Sequence, residues 1–166
     1  MEPDHPRLPA DPDLEAAQDS AAKPRPVHLS WANIAIVAIG GTAGTGLRYV
    51  IGLTVSPWDG VPVATVGINV VGAFLLGLLL ELLADRSLDT GWSRRIRLGV
   101  GTGVLGGFTT YSALATDTAV LAAGHPGRAA GYALGTVLLG AAATIAGIWL
   151  ARLHLPPAAA EKARSG

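Results

Sequence analysis

Four apolar runs, each long enough to cross a lipid bilayer, dominate this sequence of 166 residues. A spanning helix needs roughly 20 predominantly apolar residues. Glycine and proline punctuate the joints between the runs, as is typical of turns. The sequence therefore predicts an all-α integral membrane protein, with a four-helix membrane domain over residues 31–153. Its helices are expected at about Trp31–Val55, Pro62–Leu83, Leu98–Ala123 and Gly127–Leu153.

Charged residues are scarce and lie mainly outside these runs. They make up only 14% of the chain, whereas soluble domains carry about a quarter. Residues 1–30 are rich in charge and proline and poor in large apolar side chains. Such a composition cannot bury enough surface to fold alone, so it predicts a disordered cytoplasmic tail. Residues 154–166 are expected to form a second cytoplasmic tail.

Basic residues distinguish the two sides of the predicted bundle. Arg128 is the single base that flanks the runs on one side, whereas nine bases flank them on the other. Loops rich in lysine and arginine stay in the cytoplasm, so the chain is expected to be a multi-pass protein of the cell membrane with both termini cytoplasmic. The nine bases are Lys23, Arg25, Arg86, Arg94, Arg95, Arg97, Arg152, Lys162 and Arg164.

Several classes of chemistry find no support in the sequence. The chain has no cysteine, and its four histidines fall in predicted tails or loops. No phosphate-binding glycine motif of the type GxxxxGK[ST] is present, nor is a basic face interleaved with aromatic residues, as nucleic-acid binding would need. The sequence therefore predicts neither an enzyme nor a nucleic-acid partner.

The third apolar run carries an interruption in its middle. Residues 99–112 read GVGTGVLGGFTTYS, in which a Gly-Gly pair precedes a cluster of hydroxyl residues. Unpaired backbone groups in hydrocarbon cost several kcal/mol each, so a broken helix survives only inside protein or beside a polar cavity. The interruption therefore predicts an ion or solute site.

Two further runs carry polar residues at helical spacing. Thr65 and Asn69 lie four apart on the second run, and Tyr132 and Thr136 lie four apart on the fourth. Residues at this spacing share one face of a helix. With the interrupted third run they predict a continuous hydrophilic line, although Asn69 would equally suit a hydrogen bond between helices.

Two charged residues within the runs are assigned structural roles. Arg48, late in the first run, is expected to extend its side chain to the membrane interface. Asp117 is expected to cap or tether the third run near its outer end, because an acid beside an anion path would repel the ion.

Three motifs occur in order along the chain: GGTAGTGLRY at Gly40–Tyr49, TVGINVVGAFLLG at Thr65–Gly77 and TGVLGGFTTYSAL at Thr102–Leu114. With a weaker one, GYALGTVLLG at Gly131–Gly140, they resemble the small fluoride channels of the Fluc/CrcB family over roughly residues 32 to 153. The resemblance implies a passive, fluoride-selective channel built as an antiparallel, dual-topology-type dimer of four-helix subunits, with a structural sodium ion at its centre.

The resemblance also assigns roles to individual residues. The carbonyls of Gly106 and Thr109 are expected to hold the sodium ion, and Asp117 stands where the family has a glutamate. The expected ion pathway comprises Thr65, Asn69, Tyr111, Ser112, Leu114, Tyr132 and Thr136.

Two departures from the family bear on the partner. Its third-helix pattern is TTFSTF, but Tyr111 and Leu114 occupy the phenylalanine positions here. Leucine has no ring edge to offer an anion. The charge bias also predicts one orientation, whereas a dimer of opposed identical subunits needs a chain that inserts both ways. The partner is therefore expected to be a homologous four-helix subunit in the opposite orientation, with a second copy of the chain as the alternative.

Two other functions are compatible with four short apolar helices. A proton-coupled drug exporter would need a carboxylate near the middle of the first run, and Trp31–Val55 contains none. A non-transporting membrane assembly subunit would require neither Asn69 nor the interrupted run.

Overall fold

The computed structural model describes residues 30–84 and 92–154, so most of the two predicted tails and the segment 85–91 lie outside the described residues. Within this part of the chain the structure is helical, and three helices (α1, α2 and α6) are long and apolar enough to cross a membrane. The prediction of an all-α membrane protein with a broken third span is confirmed. The elements are α1 Trp31–Thr54, α2 Val63–Ala84, α3 Trp92–Ile96, a π-helix (π1) Arg97–Leu105, α4 Gly106–Phe108, α5 Tyr111–Gly124 and α6 Pro126–His154.

The third span consists of four consecutive elements. α3, π1 and α4 follow one another directly and end at Phe108, and α5 begins at Tyr111. Thr109 and Thr110 between them have extended backbone conformations. The predicted interruption therefore divides the span at these two threonines, beside the Gly-Gly pair.

α1 packs in parallel against π1 and α4 through contacts between backbones. Gly40 lies against Gly99 and Gly103, and Gly44 lies against the backbone of Val104. Apolar burial gives no drive for association between helices in lipid, so close approach through small residues supplies van der Waals contact instead. The glycine spacing thus sets how near the broken span lies to α1.

α2 and α6 form a second parallel pair. A Cβ atom at Gly77 would lie 2.5 Å from the carbonyl oxygen of Thr144, and one at Gly147 would lie 2.9 Å from the backbone nitrogen of Leu78. Near the end of the pair, Nε of Arg152 donates to Oε1 of Glu81 at 2.7 Å. This pair faces the broken span and forms the wall of the site described below.

The connection between α1 and α2 is a tight turn at the opposite end of the bundle. Trp58 and Val61 exchange backbone hydrogen bonds of 3.0 and 2.9 Å. Asp59 and Gly60 between them have φ values of 50° and 78°, as a two-residue type I′ turn requires. Arg128 at the start of α6 forms an ion pair with the Asp59 carboxylate at 3.2 Å.

Gly44→Ala is expected to lower the free energy of unfolding by about 2 kcal/mol, because the new Cβ would overlap the Val104 carbonyl oxygen and force α1 away from π1. Reversible unfolding in mixed detergent micelles measures the change. Gly52→Ala is the matched control, since no atom lies within 4 Å of a Cβ at that position of the same helix. Similar stabilities for the two variants would contradict this packing.

Candidate functional site

The break in the third span is organised around Thr110. Its side-chain oxygen accepts a hydrogen bond from the Ala113 backbone N–H at 3.1 Å, which caps the first turn of α5. The hydroxyls of Thr110 and Ser112 are 3.2 Å apart. Thr110 therefore begins the second half of the span as a helix cap.

Asn69 of α2 bonds both backbone polar groups of Thr110. Its Oδ1 accepts from the Thr110 N–H at 2.8 Å, and its Nδ2 donates to the Thr110 carbonyl at 3.0 Å. These are the groups that the break would otherwise leave unpaired in hydrocarbon. The carboxamide has a second N–H, which has no acceptor among the described residues.

Thr109 completes the end of the first half. Its backbone N–H and its hydroxyl both donate to the Leu105 carbonyl, each at 2.9 Å. Gly72 on α2 leaves the space that the Thr109 methyl group occupies. Of the two residues predicted to hold sodium, Thr109 is half-buried, whereas Gly106 lies on the exposed side of the subunit.

Asp117 joins three helices beyond the break. Its Oδ2 accepts from the Thr65 hydroxyl of α2 at 2.9 Å and from the Tyr132 hydroxyl of α6 at 3.0 Å. The structure thus brings together one predicted tether and two predicted pathway residues. This geometry suits a tether that also holds the orientation of both hydroxyl groups.

A cavity of about 340 Å³ lies between the break and the α2–α6 wall. Four predicted pathway residues (Asn69, Tyr111, Leu114 and Thr136) line it. The Thr136 hydroxyl donates to the Tyr132 carbonyl at 2.7 Å, and a hydroxyl hydrogen can rotate to another acceptor. Few polar groups in an apolar lining are typical of a ligand site. The other lining residues are Ala73, Leu76, Thr109, Thr110, Val137, Gly140 and Thr144.

The two residues at which the motif departs from the family pattern differ in burial, although both line the cavity. Tyr111 is 81% exposed, so its ring is hardly covered by its own chain, whereas Leu114 is only 7% exposed. Ser112 is also exposed. The ring of Tyr111 is therefore available to a second subunit.

Sequence reasoning missed two residues of this site. Thr144 lies eight residues after Thr136, a spacing that keeps both on one helix face, so the signal was present. Thr110 had a signal as well, since a threonine directly before a helical run is a common cap. Gly140 lies between Thr136 and Thr144 and has no side chain to fill the cavity.

Arg48 lies half-buried on α1. Its Nε is buried and has no hydrogen-bond partner among the residues that the structure describes. The predicted extension of this side chain to the interface stays a prediction.

The sequence has relatives whose names state a function. A family model described as "CrcB-like protein, Camphor Resistance (CrcB)" matches residues 35–148, which include every predicted site residue. "Fluoride-specific ion channel FluC 2" of Leifsonia xyli subsp. xyli is 48% identical over 126 residues, covering 75% of this chain and 87% of the relative. "Fluoride-specific ion channel FluC" of Mesorhizobium japonicum is 41% identical over 123 residues (72% and 96%). "Fluoride-specific ion channel FluC 1" of Cutibacterium acnes is 52% identical over 85 residues (51% and 59%).

Asn69→Asp is expected to destabilise the fold by about 2 kcal/mol, because a carboxylate oxygen would face the Thr110 carbonyl in place of an N–H donor. Unfolding in mixed micelles tests this. Thr42→Val is the control, since the Thr42 hydroxyl bonds only the Ala38 carbonyl of its own helix at an exposed position; its effect is expected within about 0.5 kcal/mol. An Asp variant as stable as the original chain would rule out the described role of Asn69.

Proposed function

The chain belongs to the CrcB-like family, and we propose that it is a subunit of a fluoride-selective channel through which fluoride leaves the cytoplasm passively. The observation that carries this proposal is the cavity beside the broken span, lined by Asn69 and Thr136. The relatives described above are named as fluoride-specific ion channels, so they support a transport protein and not an enzyme.

The donors at the cavity suit a small, strongly hydrated anion. Asn69 has an amide hydrogen left after its two bonds to Thr110, and the Thr136 hydroxyl can turn towards an ion. Neutral donors replace water around an anion without binding it as tightly as a fixed positive charge would, which lets the ion move on. The positive edge of the Tyr111 ring would add a further contact in a dry path.

The path runs along the α2–α6 wall. Thr144 extends the polar lining on one side of Thr136, and Thr65 and Tyr132 extend it on the other side. Asp117 accepts hydrogen bonds from these last two hydroxyls. We assign it the role of a tether, because hydroxyl donors partly neutralise its charge where it would repel an anion.

We assign the structural sodium ion to the carbonyls of Gly106 and Thr109, beside the break. The donor set fits, because carbonyl oxygens suit a hard cation and no group of three or more His, Asp or Glu residues is available in the described part of the chain. Two carbonyls from one subunit cannot surround a cation. A second subunit would supply the remaining oxygens, and the bound ion would add positive charge near the anion path.

The second subunit is proposed to be a homologous chain inserted the other way. Tyr111 is 81% exposed, so it can face such a partner. The bias of nine bases against one favours a single orientation for this chain. The numerals in the names FluC 1 and FluC 2 are those expected where an organism has more than one such chain.

Fluoride release from liposomes, followed with a fluoride electrode, tests both parts of the proposal. The chain is reconstituted alone and together with a homologous four-helix chain of opposite charge bias. The pair is expected to release fluoride and retain chloride, and the lone chain to release no more fluoride than protein-free liposomes do.

The two parts of the proposal fail in different ways. Rapid fluoride release by the lone chain would overturn the proposed heterodimer but would support the proposed channel function. An absence of fluoride release from both preparations, each containing correctly folded protein, would overturn the channel itself.

A further inference from the structure

Two helices carry the same W-x-x-R pattern at the end of the bundle where α1 begins and α6 ends. Trp92 and Arg95 form the pair in α3, and Trp149 and Arg152 form it in α6. Residues three apart lie on one side of a helix. Trp92 and Trp149 are 73% and 64% exposed, Arg95 is exposed, and the Arg152 side chain is 67% exposed. Both pairs therefore face away from the bundle.

The two arginines lie at a similar depth along the bundle axis. Arg152 bonds Glu81, which sets its level beside the end of α2. On the broken span, a Cβ at Gly101 would lie 3.5 Å from Leu79, and Arg95 is six residues closer to the same end of the bundle. Arg94 and Arg97 lie within two residues of Arg95 in sequence, so four arginines and one glutamate among the described residues lie near this end of the bundle.

The tryptophans bracket this level. Trp149 is one turn deeper along α6 than Arg152, whereas Trp92 is one turn further from the membrane centre than Arg95. Indole rings concentrate at the boundary between acyl chains and headgroups, and their N–H groups need an acceptor there. Guanidinium groups between such rings would reach the layer of lipid phosphates.

We propose that these two pairs bind the phosphate headgroups of anionic phospholipids in the leaflet at this end of the bundle. A guanidinium group matches the geometry of a phosphate and can bond two of its oxygens. The indole N–H beside each arginine supplies a further donor. Glu81 accepts from Nε of Arg152 and so holds that guanidinium towards the lipid.

The opposite end of the bundle has no equivalent pair among the described residues. Trp58 is 76% exposed there, but it lies in the turn between α1 and α2 and not beside Arg128 on one helix. Both terminal nitrogens of Arg128 contact Asp59, Nη2 its carboxylate at 3.2 Å and Nη1 its carbonyl at 3.3 Å. A preference for anionic lipid is thus confined to one leaflet. This inference does not depend on fluoride transport.

Quenching of tryptophan fluorescence by brominated lipids tests the proposal on the full chain in liposomes. Trp31→Phe and Trp58→Phe leave Trp92 and Trp149 as reporters. Brominated phosphatidylglycerol is compared with brominated phosphatidylcholine at equal mole fraction. Phosphatidylglycerol is expected to occupy the lipid sites in contact with the tryptophans about fivefold more than its mole fraction predicts. This is the factor expected for one arginine near an anionic surface.

Variants separate this site from general charge effects. Arg95→Gln with Arg152→Gln is expected to remove the preference. Arg95→Gln alone, which leaves the ion pair between Arg152 and Glu81 intact, is expected to reduce the average over the two tryptophans to about threefold. The matched control Arg128→Gln removes one positive charge at the other end and is expected to change nothing. Equal quenching by the two lipids in the chain with all its arginines intact would overturn the proposal. A loss of the preference in Arg128→Gln as large as that in the double variant would also overturn it.

Discussion

Thr110 interrupts a membrane-spanning helix with a backbone N–H and a carbonyl that have no helical partners. In hydrocarbon such groups cost several kcal/mol each, and the side chain of Asn69 satisfies both of them. The rest of the site depends on this replacement of helical hydrogen bonds by the Asn69 side chain. Because one carboxamide covers both groups of Thr110, the break can remain open towards a cavity, and the amide still has a hydrogen to offer an ion.

The glycine contacts of α1 are the second requirement of the fold. They bring the first half of the broken span against α1 backbone to backbone, so the break starts from a firmly held segment. The α2–α6 pair then presents Asn69 and Thr136 across the cavity. The glycine packing on one face of the broken span and the polar wall on its other face therefore act together. The glycines position the break, and Asn69 stabilises it.

Much of this arrangement could be predicted from the sequence. The four apolar runs and the Gly-Gly-Phe-Thr-Thr interruption give the spans and the break, because length and helix chemistry are local properties. For the same reason, spacing predicts that Thr65 and Asn69 share one helix face and that Tyr132 and Thr136 share another. The two hydrogen bonds between Asn69 and Thr110, the π-helical turns before the break and the different burial of Tyr111 and Leu114 depend on how distant segments meet, which periodicity does not encode.

If the ion path passes Thr136, replacing threonine by valine there and at a matched position outside the cavity tests the path most directly. Thr136 and Thr118 both donate to a carbonyl of their own helix, but only Thr136 lines the cavity. In the assembly that conducts, Thr136→Val is expected to slow fluoride release by about tenfold, as the loss of one hydrogen bond at the barrier would, whereas Thr118→Val leaves it unchanged. Equal rates for the two variants would contradict a path through this cavity.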